Sequence, residues 1–331
     1  MDLRNKVNRN LLFLLTALAL NFVLVYTECP PAKLIKPCNC AEMPFPLVEC
    51  GGISQMETLE QIFDKTGDRS FHSFALYNSS LQYLPAYAIS RKKFQQIMLV
   101  NVTMNAMFDR LPDPSNKVFM ITMMNSTFLR GVGWELFKPL KGLEVVSITS
   151  TEIKSLSKSF VDNISTKVKR FHLFDSRVRK IQYNVFSHMT DLYDMRIDNG
   201  GIKSLKRSMF PEHSKITGFY FPNNEITSLP DDLFTNMPKL EYVDFYNNKI
   251  TQVTQPVFGG VYNTLKKLVM EVRIEAVLIS RPIRSLSNVS NDVETLTPAH
   301  FLVGSSLVVI PDCTEISMNR LNQWQSVQRM N

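Results

Sequence analysis

The sequence predicts an α/β solenoid in which short strands stack one repeat upon the next, behind a disulfide-bonded N-terminal cap and ahead of a non-repeat C-terminal tail. Three observations predict it. Residues 71–270 carry a pattern that recurs every 23 to 25 residues. Four of the 5 cysteines cluster just before the first copy. After LKKLVM, ending at Met270, the pattern stops while the chain runs on to Asn331. With 331 residues, 44% of them hydrophobic, the chain can bury a sizeable core.

The first element is MDLRNKVNRN followed by an uncharged apolar run from Leu11 to Tyr26. A basic start and an apolar stretch shorter than the roughly 20 residues of a spanning helix read as a secretory signal, residues 1–27, cleaved before Glu28. The alternative is an uncleaved membrane anchor. The second element, residues 28–52, holds Cys29, Cys38, Cys40 and Cys50, with Cys313 alone far downstream. Paired CxxC knuckles and a neighbouring histidine are missing, and the signal points to an oxidising compartment, so two disulfides fit better than zinc.

The third element is the repeat, residues 53–270. Its clearest copies are ITGFYFPNNEITSLPDDLF and LEYVDFYNNKITQVTQPVF, both fitting LxxLxLxxNxLxxLxxxxF. Weaker copies begin at Phe71, Phe94, Val118, Leu143, Val168 and Leu192, and a ninth starts at Leu265. One copy cannot bury its own apolar face, so stability comes from stacking and an exposed end needs a cap. The polar residue after each strand is expected to bond neighbouring backbone along the stack. Asn224 and Asn248 hold that position, whereas earlier copies place Ser79, Val102, Ser126, Thr151, Ser176 and Gly200 there, which reads as a degenerate ladder.

These motifs resemble extracellular leucine-rich-repeat proteins, and the cluster resembles their cysteine-flanked N-terminal cap. The resemblance implies a curved horseshoe with a parallel concave sheet, and pairing of Cys29 with Cys40 and of Cys38 with Cys50. The cap beginning CP…PCNC and the loose copies further resemble arthropod proteins named for the non-catalytic subunit of Oplophorus-luciferin 2-monooxygenase. That implies a secreted, non-enzymatic protein that stabilises or scaffolds a partner such as a secreted oxygenase. An extracellular receptor-type or matrix binding module is the alternative.

The last element, residues 271–331, resembles the end of the integrase region in BEL/Pao-type retrotransposon polyproteins. Glu275, Ala276, Ser280, Arg281 and Pro282 in EAVLISRP, Leu296 to Gly304 in LTPAHFLVG, and Asn319, Arg320, Leu321, Trp324 and Gln325 in NRLNQWQ carry it, while Ile279 departs, standing where Asn is common. The carboxylates that would hold an integrase's metal ions belong upstream, where the repeat stands instead. The tail is therefore read as a mobile-element insertion or a gene-model fusion, with a retained nucleic-acid-related role as the lesser alternative, and is expected to pack poorly and leave the edge of the last repeat uncovered.

Composition narrows the function. The net charge is +7, but Lys and Arg are scattered among acids without a block or helical stripe, so no nucleic-acid partner is expected. His72, His172, His188, His213 and His300 fall at separate positions, and no phosphate loop, dinucleotide fingerprint or nucleophile elbow occurs. No enzyme activity, cofactor, metal or small-molecule substrate is expected. The remaining expectation is a protein partner on the concave face of copies five to eight, at Arg170, His172, Phe174, Asp175, Asp194, Arg196, Asp198, Tyr220, Tyr242, Asp244 and Tyr246. Sequons at Asn78, Asn101 and Asn125 share one repeat position and would screen the first half with glycans, and a fourth, Asn163, would lie on the outer side.

Overall fold

The computed structural model describes residues 28–271 except 43, 44, 179 and 255, together with 307–309. The signal reading and nearly all of the tail, Cys313 and Asn288 included, lie outside the described residues. In chain order the strands are β1 (Asn39–Ala41), β2 (Leu47–Gly51), β3 (Ser73–Ser80), β4 (Gln96–Met104), β5 (Met120–Met124), β6 (Thr127–Phe128), β7 (Val145–Thr149) and β8 (Ser155–Leu156). There follow β9 (Arg170–Phe174), β10 (Lys180–Ile181), β11 (Asp194–Asp198), β12 (Gly218–Tyr220), β13 (Tyr242–Phe245), β14 (Lys267–Met270) and β15 (Leu307–Val309).

One sheet runs β1-β2-β3-β4-β5-β7-β9-β11-β12-β13-β14-β15, parallel throughout from β2 to β14. Every strand from β3 to β14 in that series starts two residues after the repeat start read from the sequence, β14 belonging to the truncated ninth copy. Period-two alternation sets the faces: in β11 Met195 and Ile197 are buried while Asp194, Arg196 and Asp198 are not. The chain returns through short helical turns such as Ala86–Arg91, Trp134–Phe137, Lys158–Asn163 and Pro256–Gly259.

The last apolar position of the repeat builds an aromatic spine behind the sheet. Trp134 meets Phe160 at 4.9 Å, Phe160 meets Phe186 at 6.3 Å, Phe186 meets Phe210 at 6.0 Å and Phe234 meets Phe258 at 5.4 Å between ring centroids. Phe210 and Phe234 are joined through Phe219, which both rings meet edge-on at 5.0 and 5.4 Å, so burial worth about 1.5–3 kcal/mol per side chain is available only to the stack.

The cap closes the first end with the pairing that the resemblance implied, Cys29–Cys40 and Cys38–Cys50. Its β2 already belongs to the parallel array, and helix Met56–Lys65 buries Leu59, Ile62 and Phe63 at i, i+3 and i+4 behind it. That helix ends at Gly67, whose φ of +57° suits a left-handed stop. The buried Lys92 ammonium donates to the Gly67 carbonyl, and Arg91 bonds Asp64 at 2.8 Å, so the first repeat fastens onto the cap helix.

At the other end β15 pairs antiparallel with β14, Leu268 opposite Val309 and Met270 opposite Leu307. This corrects the expectation of an open edge: the backbone groups of the last parallel strand meet a strand from the tail. Among the described residues no helix is long and apolar enough to cross a membrane.

Two polar ladders lock the turns. In the buried one, Asn224 Oδ1 accepts from the N–H groups of Gly200 and Ile202 at 3.0 and 3.1 Å, and its amide donates to Ile197 and Pro222 carbonyls at 2.7 and 2.8 Å. Ser79 accepts from Ile53 N, Ser126 from Val102 N and Thr151 from Ser126 N. The hydroxyl copies thus keep the inter-repeat bond, and only Val102 and Gly200 lack a side chain able to make one. An exposed ladder stands one residue earlier, where Asn78, Asn101, Asn125, Ser150, Asp175, Asn199, Asn223 and Asn247 all have φ between 46° and 56°. Asparagine and aspartate tolerate that conformation best among residues with a side chain.

Asn224→Ala strands four buried backbone groups and should lower unfolding stability by about 3 kcal/mol or more, each orphan costing about 1–3. Asn247→Gly keeps the positive φ and loses one exposed bond, so it should cost less than about 1 kcal/mol in the same urea titration. Burial holds the Lys92 pKa down to about 8 from 10.5, with Arg91 adding to the effect. Between those values the unfolded chain keeps a proton that the folded chain has released, so Lys92 makes stability rise with pH across that window. Urea titrations from pH 7.5 to about 10 should show this rise weakened in Lys92→Met relative to the parent protein.

Candidate functional site

Parallel register places the outward side chains of β9, β11, β12 and β13 in rows along the solenoid. One row is His172, Arg196, Tyr220, Asp244; a second is Arg170, Asp194, Gly218, Tyr242; Phe174 and Asp198 begin a third. Of the eleven residues expected on this face, ten stand on it. Asp175 does not. It occupies the left-handed turn after β9, and its carboxylate accepts from Asn199 at 2.7 Å, so it belongs to the exposed ladder at the rim.

Arg196 is the centre of the patch. Its guanidinium carbon lies 5.3 Å from the Phe174 ring centroid and 5.6 Å from that of Tyr220, between a ring from the strand before and one from the strand after. Asp198 holds one end of the guanidinium at 2.8 Å, and Asn223 in turn donates to Asp198 at 2.7 Å. The Arg196 Nε is buried without a partner. Tyr220 lies across Gly218, where an added Cβ would come within 2.5 Å of the ring, so the glycine is what lets the ring lie against the sheet. Burial, then the nearby Asp194 carboxylate, raises the Tyr220 pKa above the ordinary phenol value.

Around this centre His172 stands edge-on to Phe174 at 6.0 Å, and its Nε2 is 3.2 Å from Asp194 Oδ2. That separation is within ion-pair range, but the N–H is not aligned for a hydrogen bond, and Nε2 is buried without one. Tyr242 and Tyr246 are the open part of the patch, 37% and 45% exposed. The outcome is a fixed cation between two rings with two exposed tyrosines beside it. Among the described residues no three His, Cys, Asp or Glu side chains converge to hold a metal.

The sequon asparagines Asn78, Asn101 and Asn125 are exposed, but each sits in the left-handed ladder. Asn101 donates to Asn78 at 2.7 Å and Asn125 to Asn101 at 3.3 Å. The backbone alone therefore accounts for asparagine there, as it does at Asn223 and Asn247, which carry no sequon. Asn163 ends a helix on the return side and donates to the Ser159 carbonyl at 2.8 Å. Sequence reasoning missed Gly218 and Asn223, which position the patch. It also missed that Met98, Met120 and Met124 face outward on the first half of the sheet; the outward positions of MITMM carried that signal.

Residues 154–277 match the family described as BspA type leucine rich repeat region, in six copies. The fold is a leucine-rich-repeat solenoid. The TLR13–ssRNA13 complex is similar at a TM-score of 0.55 and 17% identity, covering 67% of this chain and 31% of that one. The glycosylated Toll–Spatzle complex of Drosophila aligns at a TM-score of 0.40 and 12% identity, over 71% of this chain and 48% of that one. The chain thus spans about a third of the first and about half of the second, and identity this low speaks to fold alone. No curated protein sequence matches. Neither the repeat family nor the similar structures indicate an enzyme family.

If the rings hold Arg196 as the geometry indicates, a double-mutant cycle between Phe174→Leu and Arg196→Lys should give a coupling of about 0.5–1 kcal/mol in unfolding stability. Additive effects would show that the stacking contributes nothing.

Proposed function

We propose that the chain is a secreted, non-catalytic leucine-rich-repeat protein that binds a partner protein through the concave face of copies five to eight, residues 168–250. The observation that carries this reading is the Arg196 guanidinium fixed between Phe174 and Tyr220, with Tyr242 and Tyr246 exposed beside it. Arginine and tyrosine dominate interface energetics because a planar cation and a stiff ring bring large contact area at small ordering cost. The disulfide-bonded cap supports an extracellular setting, since such bridges persist in oxidising compartments.

The resemblance of the cap and copies to luciferin-monooxygenase non-catalytic subunits supports a secreted oxygenase as the partner, which this chain would stabilise or scaffold. The retrotransposon resemblance supports reading residues 271–331 as a fused fragment that adds no catalytic centre. A receptor-type ectodomain is the second reading, favoured by the likeness of the fold to TLR13. Whether the mature chain is released or membrane-held separates the two.

Co-purification from the native secretion, followed by mass spectrometry, identifies the partner. Against it, Tyr220→Ala with Tyr246→Ala should weaken binding by well over tenfold, since losing such an anchor costs about 2 kcal/mol. Removing the sequons at Asn78, Asn101 and Asn125 should leave affinity nearly unchanged. A silent tyrosine pair, with binding lost on removal of the sequons from a folded protein, would reverse the assignment of halves.

A further inference from the structure

When the copies are aligned, the residue just before the first core position is lysine in five of the eight full copies: Lys93, Lys117, Lys167, Lys215 and Lys239. All five are exposed. Because neighbouring turns stack in parallel register at about 4.8 Å, the six steps from Lys93 to Lys239 form a line about 29 Å long beside the sheet. The charges that look scattered in the sequence therefore make a stripe whose period is the repeat itself.

The stripe is only partly neutralised. Asp191, the single acid at this position, bonds Lys215 at 2.7 Å, with Lys167 and Lys169 also near it. Glu144 takes Lys169 at 2.9 Å. Among the described residues no carboxylate lies within ion-pair distance of Lys93, Lys117, Lys167 or Lys239. Lys215 and Lys239 of the stripe, with Lys169 and Arg170 beside it, border an open groove of about 640 Å³ that Glu144 and Asp191 also line.

We propose that this lysine stripe is a second binding face, beside the aromatic patch and meeting its outermost row at Arg170, and that it takes a sulfated polysaccharide laid along the solenoid. Ammonium groups are point charges on flexible stems, suited to sulfates that need no forked geometry. A single-stranded nucleic acid would call for rings that stack successive bases. The two rings in the groove, Phe119 and Tyr193, stand three repeats apart, about 14 Å. The disulfide-bonded cap fits the extracellular setting in which such polysaccharides occur.

The test is fluorescence anisotropy of an end-labelled heparin-type oligosaccharide with the full chain, across a salt series. Lys117→Ala, Lys167→Ala and Lys239→Ala together should weaken binding about tenfold or more and flatten its salt dependence, because three charge contacts are lost. A control removing Lys154, Lys203 and Lys249, equal in charge but off the stripe, should bind like the parent, and a desulfated oligosaccharide should not bind. If thermal melting shows that the triple variant is unfolded, Lys117→Gln with Lys239→Gln carries the same comparison. Equal loss in stripe and control variants would reduce the effect to net charge and overturn the proposal. So would absence of binding by the parent protein, or tighter binding of a single-stranded oligonucleotide of equal charge through the same lysines.

Discussion

Parallel register between successive turns is the constraint on which everything else rests. Each residue lies beside its equivalent one repeat away, about 4.8 Å distant, so any residue type that recurs at one repeat position becomes a continuous row in space. Phenylalanine at the last apolar position becomes a spine. Asparagine or a hydroxyl after the strand becomes a buried ladder. Neither row is complete in a single turn, because the covering ring and most of the bonded backbone belong to a neighbouring one. The ends are then the weak points. Two disulfides and β2 close the first, and antiparallel β15 meets the last.

The sequence made the inward half of this pattern legible. Apolar periodicity sets the strands and the cap spacing sets the first boundary, since the core admits few substitutes and its signal survives even in weak copies such as that at Val118. Outward positions are less constrained and gave less. Asp175 follows directly on the outward Phe174 and reads as part of the same face, yet period-two alternation would turn it inward and its φ of 50° places it in the turn instead. The asparagines at 78, 101 and 125 look like a glycosylation signal, but a left-handed turn selects the same residue for conformational reasons. The lysine row forms neither a block nor a helical stripe in the sequence, because a solenoid arranges charge at the repeat period.

The aromatic patch shows how the same register preorganises a surface. Arg196 draws its two ring neighbours from different strands and its carboxylate from its own, so no local sequence motif describes the arrangement. A guanidinium already held by Phe174, Tyr220 and Asp198 has little rotamer freedom left to lose when a partner arrives, which removes part of the ordering cost of binding. Its buried, unpartnered Nε is the counterpart: some desolvation has already occurred in the free protein.

The two faces would then respond differently to conditions, and that difference follows from burial. Contacts at Tyr220 and Tyr246 depend on apolar area and a shielded cation, which salt screens weakly. Contacts along the stripe depend on exposed ammonium groups, whose attraction to a polyanion weakens steeply as ionic strength rises. A partner protein and a polysaccharide could therefore be held at once, because the rows that carry them stand at different positions of the same repeat. Raising salt would release the second while leaving the first in place.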